Sequence, residues 1–340
     1  MTTTTTPRLT ADRDREDRPS PDVLHLHELS PGDARTAEAL AAALLRRHGT
    51  PDSPGLLAEA PVAAARLPDA LLRASVRARG DDTKHAFIIR GNRGAESLGP
   101  TPRHWDRADT EESRISACLL VLYSALLGDL IGWSSQQDGR LVTDVLPVPG
   151  MEKSLVSGCS ERELGWHTED AFSPHRADHV GLMALRNPDS TPTTVSYVDV
   201  PRLAPAAARV LAQPRFVIRP DDSHTDPGQG AGPQPVPVLS GHPDSPVLRI
   251  DRDFTTALDG DAEAESALAL LVEHIDHNLY DIPINPGDVC FLDNRTVVHG
   301  RRPFVPRYDG LDRWLKRVNV VTDLRRTRPG RSSAADRIVR

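Results

Sequence analysis

A chain of 340 residues has room for one large domain or two ordinary ones, and no linker divides this one midway. Its net charge of −7 gives no footprint for a nucleic acid or an anionic membrane surface. Three cysteines (Cys118, Cys159 and Cys290) are too few and too scattered for a disulfide framework or a zinc knuckle. They read as reduced thiols of a cytoplasmic protein.

The opening Met1-Thr-Thr-Thr-Thr-Thr-Pro and the charged Asp12–Arg18 lack the apolar core of a signal peptide. Residues 1–20 are therefore expected to be a disordered tail, and 21–340 a single domain. Pro31–His48 reads as a helix stopped by Gly49, and Asp69–Arg79 as another ending at Gly80. His85–Arg90 is a short strand. Ser113–Ile131 is apolar nearly all round, but Asp129 and the flanking charges leave it short of the roughly 20 apolar residues a membrane span needs. It is read as a buried helix behind a sheet.

Strand-and-turn sequence follows at Val142–Pro149, Gly165–His167, His179–Arg186, Thr193–Val200, Arg215–Arg219, Val236–Leu239, Val247–Ile250, Val289–Leu292 and Arg317–Val321. One helix, Glu263–Asn278, is expected among them. Helices first and many short strands afterwards predict an α+β protein, a jelly-roll core with flanking helices. On these residues alone another β-sandwich stays open. The long insert between Phe216 and Val247, rich in Gly and Pro, reads as a surface insertion or a lid near 220–246.

The chemistry centres on Gly165-Trp-His-Thr-Glu-Asp-Ala-Phe-Ser-Pro-His-Arg176. On a strand, His167 and Glu169 project to one side while Thr168 turns away. Such a pair supplies two of the three ligands of the facial triad that binds non-haem Fe(II). The same spacing recurs at His104/Asp106, His224/Asp226, His242/Asp244 and His274/Asp276, so among thirteen histidines the pair alone is more often a solvated one. What singles it out lies downstream. After a turn at Gly287-Asp288 and the strand Val289–Leu292 comes His299, and fourteen positions later Arg313 opens a second strand-like run.

By type, order and spacing, these four residues resemble the iron and co-substrate site of the clavaminate synthase-like Fe(II)/2-oxoglutarate oxygenases. The resemblance implies a double-stranded β-helix, Fe(II) on His167, Glu169 and His299, and 2-oxoglutarate held by Arg313, with O2 as second co-substrate. A carboxylate at position 169 implies hydroxylation, because related halogenases lack that ligand.

Charge placement speaks to the substrate. Asp251 and Asp253, spaced by two, share a face if they lie on a strand, and a planar guanidinium fits two such acceptors better than an ammonium does. A solvated turn, or pairing with Arg249 or Arg252, is the alternative. Arg317 lies four residues after Arg313, so one arginine serves the 2-oxoglutarate carboxylate and the other a substrate α-carboxylate. Gln136 and Glu169 are placed to accept from an α-ammonium.

The runs Gln136–Pro147, Glu163–Pro174, Arg219–His224, His299–Arg302 and Pro306–Gly310 are similar to those of the free L-arginine hydroxylases of peptide-antibiotic biosynthesis. The similarity reaches from about Glu38 to the end, apart from the centre of the insert. It implies that Asp251 and Asp253 grip the guanidinium. Gln136, Leu155, Ser157, Glu169, Asp221 and Arg317 would complete the amino-acid site. A threonine of Thr193-Thr194, with Thr194 favoured, would join Arg313 on 2-oxoglutarate. Departures are a shorter insert and His175 in place of an aromatic. The expected reaction is hydroxylation of free L-arginine at an unactivated carbon, C3 first. Alternatives are sequential C3/C4 dihydroxylation as in streptothricin-type pathways, a non-catalytic metal-binding barrel, and a zinc hydrolase, for which no placed base is found.

Overall fold

The structure, a computed structural model, describes residues 23–93, 98–152, 154, 158, 160–199, 202–221, 223–224 and 234–340. The expected tail, Leu155, Ser157 and the centre of the insert (225–233) lie outside the described residues. The architecture is two facing sheets with helices outside each, the jelly-roll arrangement the sequence predicts.

The larger sheet runs in the order β1 (Leu24–Glu28), β2 (Ala86–Arg90), β13 (Val289–Asp293), β6 (His179–Arg186), β15 (Trp314–Val321), β3 (Asp129–Trp133) and β16 (Ile338–Val339). Strand β4 (Val142–Val145) pairs with the first half of β15 and β3 with the second. The smaller sheet is β12 (Tyr280–Ile282), β7 (Thr193–Tyr197), β14 (Val297–Arg301) and β5 (Leu164–His167), antiparallel throughout.

The period-2 alternation of strands decides where each side chain goes. On β13, Val289 and Phe291 pack under the N-terminal helices, whereas Cys290 and Leu292 face the space between the sheets. There they meet Val180, Leu182 and Ala184 of β6, Val195 of β7 and Val297 of β14.

Helix α1 (Pro31–His48) matches its predicted bounds because its stop signals are local. The Ser30 hydroxyl caps the Asp33 N–H at 3.1 Å, Pro31 opens the first turn, and Gly49 adopts φ +83°, a conformation a side chain would strain. Its buried Ala34, Ala37, Ala41 and Leu44 form one helical stripe. Helix α3 (Asp69–Gly80) also lies where predicted, whereas α2 (Pro54–Ala64) adds a helix the sequence reading left out.

The largest difference is at Ser113–Ile131. Helix α4 (Glu111–Ser124) stops early, and the end of the run, Asp129–Ile131, opens strand β3. Short apolar runs carry no periodicity that separates a buried helix from a buried strand. Pairing with β15 decides it, and Gly128 makes the crossing possible, since a Cβ there would lie 2.2 Å from the Val321 carbonyl.

Two helices flank the smaller sheet where one was expected: α5 (Pro205–Leu211) and α6 (Ala262–His277). Part of the presumed lid is also packed structure. Val236 bridges to Phe216 of β8 (Phe216–Ile218), and β9 (Leu239–His242) with β10 (Ser245–Leu248) forms a hairpin whose Leu239 and Leu248 join the α5/α6 core. Among the described residues no helix is long and apolar enough to cross a membrane.

Candidate active site

Strand pairing brings the candidate metal-binding residues together. On the antiparallel β5–β14 pair His167 and His299 are direct partners, so their rings stand side by side, 4.7 Å between centroids. His299 sits within β14, a strand the sequence reading did not include. Glu169 follows the end of β5, and its Oε2 lies 3.6 Å from His167 Nε2 and 3.3 Å from His299 Nε2.

Three candidate ligand atoms thus converge within 4.8 Å, and Glu169 Oε2 makes no hydrogen bond there. Two imidazoles and one carboxylate on one face, the carboxylate oxygen unpaired, fit a first-row divalent metal. The His167 Nδ1 lies 2.9 Å from the Gly165 carbonyl, which leaves Nε2 as the atom turned to the metal position.

Arg317 Nη1 holds Glu169 Oε1 at 2.6 Å, and Arg317 Nη2 donates to Gln136 Oε1 at 3.0 Å. Burial alone would raise the Glu169 carboxyl, but the Arg317 cation and the two histidines keep it well below the usual carboxylate range. Burial would likewise lower His167, yet the adjacent Glu169 and Asp251 carboxylates raise it to about 9. Burial, with the neighbouring His167, depresses His299.

The triad lies in the wall of a cavity of about 830 Å³, mouth included. On one side Arg313 enters it, 6% exposed, with its Nε lacking any partner among the described residues. Burial, with Arg301 adding repulsion, lowers this guanidinium to about 9. A buried cation without an anion is costly unless a ligand supplies one. Thr193 lines the same wall, and Thr194 does not. The register explains this correction: Thr193 pairs with Arg301 and Val195 with His299, so residues 193 and 195 face inward. Thr194 opposes Gly300 instead, its hydroxyl 2.9 Å from where a Cβ of residue 300 would be.

On the other side Asp251 forms a bridge with His167, in line with the two histidines. Its carboxyl is raised by burial, although His167 and the backbone donors of Asp253 and Phe254 oppose the shift. Asp253 departs from expectation. Residues 252–254 form a turn rather than a strand, and Asp251 Oδ1 accepts the N–H of Asp253 at 2.9 Å. A turn breaks the period of two, so Asp253 leaves the cavity wall, is exposed, and lies over Gly165.

Asp221 reaches the wall beside Asp251, and Gln136 lines it as expected. Among the residues to which the sequence reading gave no role, Arg219, Asp170 and His224 also line it. The His224 ring meets Trp133 and Phe172 edge-on at 5.3 and 4.5 Å, and its Nε2 lies 3.1 Å from both Gln136 Nε2 and Asp170 Oδ1. The signals of His224 were its His-x-Asp spacing and its place at the end of the run Arg219–His224. His175 is absent from the wall.

A jelly roll with a His-x-Glu…His cluster between its sheets defines a class, and the family comparison agrees. Residues 135–319 match the model of the taurine catabolism dioxygenase TauD, TfdA family, and the chain belongs to that family. It is 37% identical to the enduracididine beta-hydroxylase of Streptomyces hygroscopicus, over 93% of this chain and 100% of that protein. It is 35% identical to the L-ornithine/L-arginine 3-hydroxylase of Catenulispora acidiphila, with the same coverage. A crystal structure of the non-heme iron oxygenase OrfP in complex with Fe, succinate and (3S)-hydroxy-L-Arg superposes with a TM-score of 0.87, at 38% identity over 93% of this chain and 99% of that one. Other structures of OrfP hold Fe with alpha-ketoglutaric acid, or with succinate and (3R,4R)-dihydroxy-L-Arg.

Proposed function

We propose that this protein is an Fe(II)- and 2-oxoglutarate-dependent dioxygenase that hydroxylates free L-arginine at C3. The observation that carries the reading is the charge layout around the triad: a buried guanidinium with no anionic partner among the described residues on one side, carboxylates on the other. His167, Glu169 and His299 hold the iron. Arg313 pairs with the distal carboxylate of 2-oxoglutarate, and Thr193 donates beside it. Bound iron with 2-oxoglutarate and O2 supplies the oxidising power for an unactivated C–H bond.

The chain's own task is placement. Asp251 and Asp221 accept from the substrate guanidinium, whose planar donors suit two carboxylates better than an ammonium would. Arg317 and Gln136 receive the α-carboxylate end, and Glu169 with Gln136 accepts from the α-ammonium. Leu155 and Ser157 belong to the same amino-acid site by resemblance. Asp253 is given a supporting part, through its turn with Asp251. Fixing both ends of the amino acid sets which carbon lies nearest the metal. The setting proposed is the cytoplasm, in peptide-antibiotic biosynthesis, in keeping with the resemblance of the sequence.

The test is product analysis: purified protein with Fe(II), 2-oxoglutarate and L-arginine should yield succinate and a hydroxyarginine whose position NMR assigns. No arginine-dependent succinate would overturn the reading. The dihydroxylated arginine bound to the related OrfP favours a second reading, oxidation at C3 and then C4. A product 32 mass units above arginine, formed after one 16 units above it, would select that reading.

A further inference from the structure

We infer that Asn294 is a positioning residue for the metal-binding carboxylate, standing in for a strand that the backbone of Glu169 lacks. β5 ends at His167, and the Thr168 N–H still finds a partner in the Ile250 carbonyl at 2.8 Å. One residue further the ladder fails. Asp170 takes φ +53° and turns the chain away, so no described main-chain group meets the N–H or the C=O of Glu169. Buried main-chain groups are almost always paired, and the exceptions call for an account.

The Asn294 amide supplies both missing partners. Its Oδ1 accepts from the Glu169 N–H at 2.6 Å, and its Nδ2 donates to the Glu169 carbonyl at 3.1 Å. A second Nδ2 bond reaches the Ala177 carbonyl at 2.9 Å. An asparagine has one acceptor oxygen and two N–H donors, and all are engaged. Asn294 is wholly buried.

Its position in the chain gives the clamp its consequence. Asn294 lies in the connection from β13 of the larger sheet to β14 of the smaller one, five residues before His299. It therefore ties the main chain of one metal ligand to the element carrying another. Arg317 holds Oε1 of the same glutamate, so main chain and side chain are both fixed, and Oε2 points between the two imidazoles.

The inference rests on the proposed triad, and the experiment separates the two. Fe(II) or Co(II) is titrated anaerobically into wild type, Asn294→Ala and Asn187→Ala, with melting temperature measured on each. Asn187 is the control: also buried, it bridges a turn through two Nδ2 bonds and one Oδ1 bond, all 3.0 Å long, and is absent from the cavity wall. Loss of a group that orients a metal ligand costs roughly 10–100-fold in metal affinity.

The expected result is a loss of that size for Asn294→Ala, with a changed Co(II) absorption spectrum. Asn187→Ala should lower the melting temperature yet keep wild-type affinity. If Asn294→Ala does not fold, Asn294→Ser, which can still accept from the Glu169 N–H but loses both amide donors, carries the same comparison. Equal affinities, or equal losses in both asparagine variants, would overturn the clamp while leaving the triad standing. A wild type that binds no metal would overturn both.

Discussion

The two sides of the cavity are built by different means. His167, His299 and Thr193 stand on paired strands, where register fixes each side chain against its neighbour. Asp221 and His224 reach the same space from an irregular segment, and Asp251 from the edge of a turn. In the proposed function, the strand-built side holds what every turnover shares and the loop-built side faces what varies between substrates. Binding residues on loops over a rigid scaffold can change without disturbing it. Substitutions on the two sides should therefore differ in kind as well as size.

The largest effect is expected on the strand side. His167→Ala or His299→Ala should abolish metal binding in an anaerobic Fe(II) titration, and turnover with it, because two ligands hold a first-row metal far more weakly than three. The metal must also displace a proton from His167, which is raised to about 9 in the metal-free chain from an ordinary 6.5. Metal affinity should thus climb with pH until about 9. Folding stability of the metal-free chain runs the other way. A raised histidine contributes fully below pH 6.5, and the contribution is lost as pH rises through about 9. Flat profiles of affinity and stability across this window would remove the assigned charge on His167.

Next comes Arg313. If it pairs with a carboxylate of 2-oxoglutarate, Arg313→Ala strands that anion in a buried site, a loss of about 2–5 kcal/mol. Apparent 2-oxoglutarate affinity should fall by more than tenfold while metal affinity stays near wild type. Normal co-substrate affinity would break the assignment and leave the orphaned guanidinium without a role.

These strand-side residues were also the ones legible in the sequence. His167 and Glu169 are two apart, and His299 and Arg313 follow at set distances, so spacing along one chain carries the information. The register that makes Thr193 rather than Thr194 face inward depends on pairing with β14, which no local pattern discloses. Asp251 and Asp253 fail for the opposite reason. The period of two applies only if both lie on a strand, and the Asx-type turn closed by Asp251 Oδ1 overrides it. Ser113–Ile131 shows the same limit at the level of elements. Its apolar run fits helix or strand, and only contact with β15 chooses.

Asp251 and Asp253 now predict unequal effects where the spacing alone treated them alike. Asp251 lies in the cavity wall beside His167, so Asp251→Ala should remove a charge-assisted bond of roughly 1.5–3 kcal/mol, or about ten- to a hundredfold in arginine kcat/KM. Preference for arginine over lysine should fall with it. Asp253 is exposed and outside the wall, so Asp253→Ala should cost only a fewfold. Matching losses in the two variants would show that the loop side rearranges around substrate to bring both carboxylates in.

The smallest expected effect tests whether the loop side is held by the core at all. His224 joins the insert to it: its ring packs edge-on against Trp133 and Phe172, and its Nε2 faces Gln136. Arg317, a donor only, fixes the Gln136 oxygen on its own side, so the amide nitrogen turns to His224 and Ser223. His224→Ala removes the ring nitrogen that lies between that amide and the Asp170 carboxylate, and leaves Ser223 as the amide's remaining partner. One net hydrogen bond amounts to about 1 kcal/mol, roughly a fivefold change. The KM for arginine should rise by about that factor while the KM for 2-oxoglutarate stays constant, because the strands that hold the co-substrate are untouched. His224→Gln should recover part of the loss, since its side-chain amide offers an acceptor to Gln136 and a donor to Asp170. An equal rise in both KM values would mean that the two sides are mechanically one, and the division between a fixed strand side and an adaptable loop side would fail.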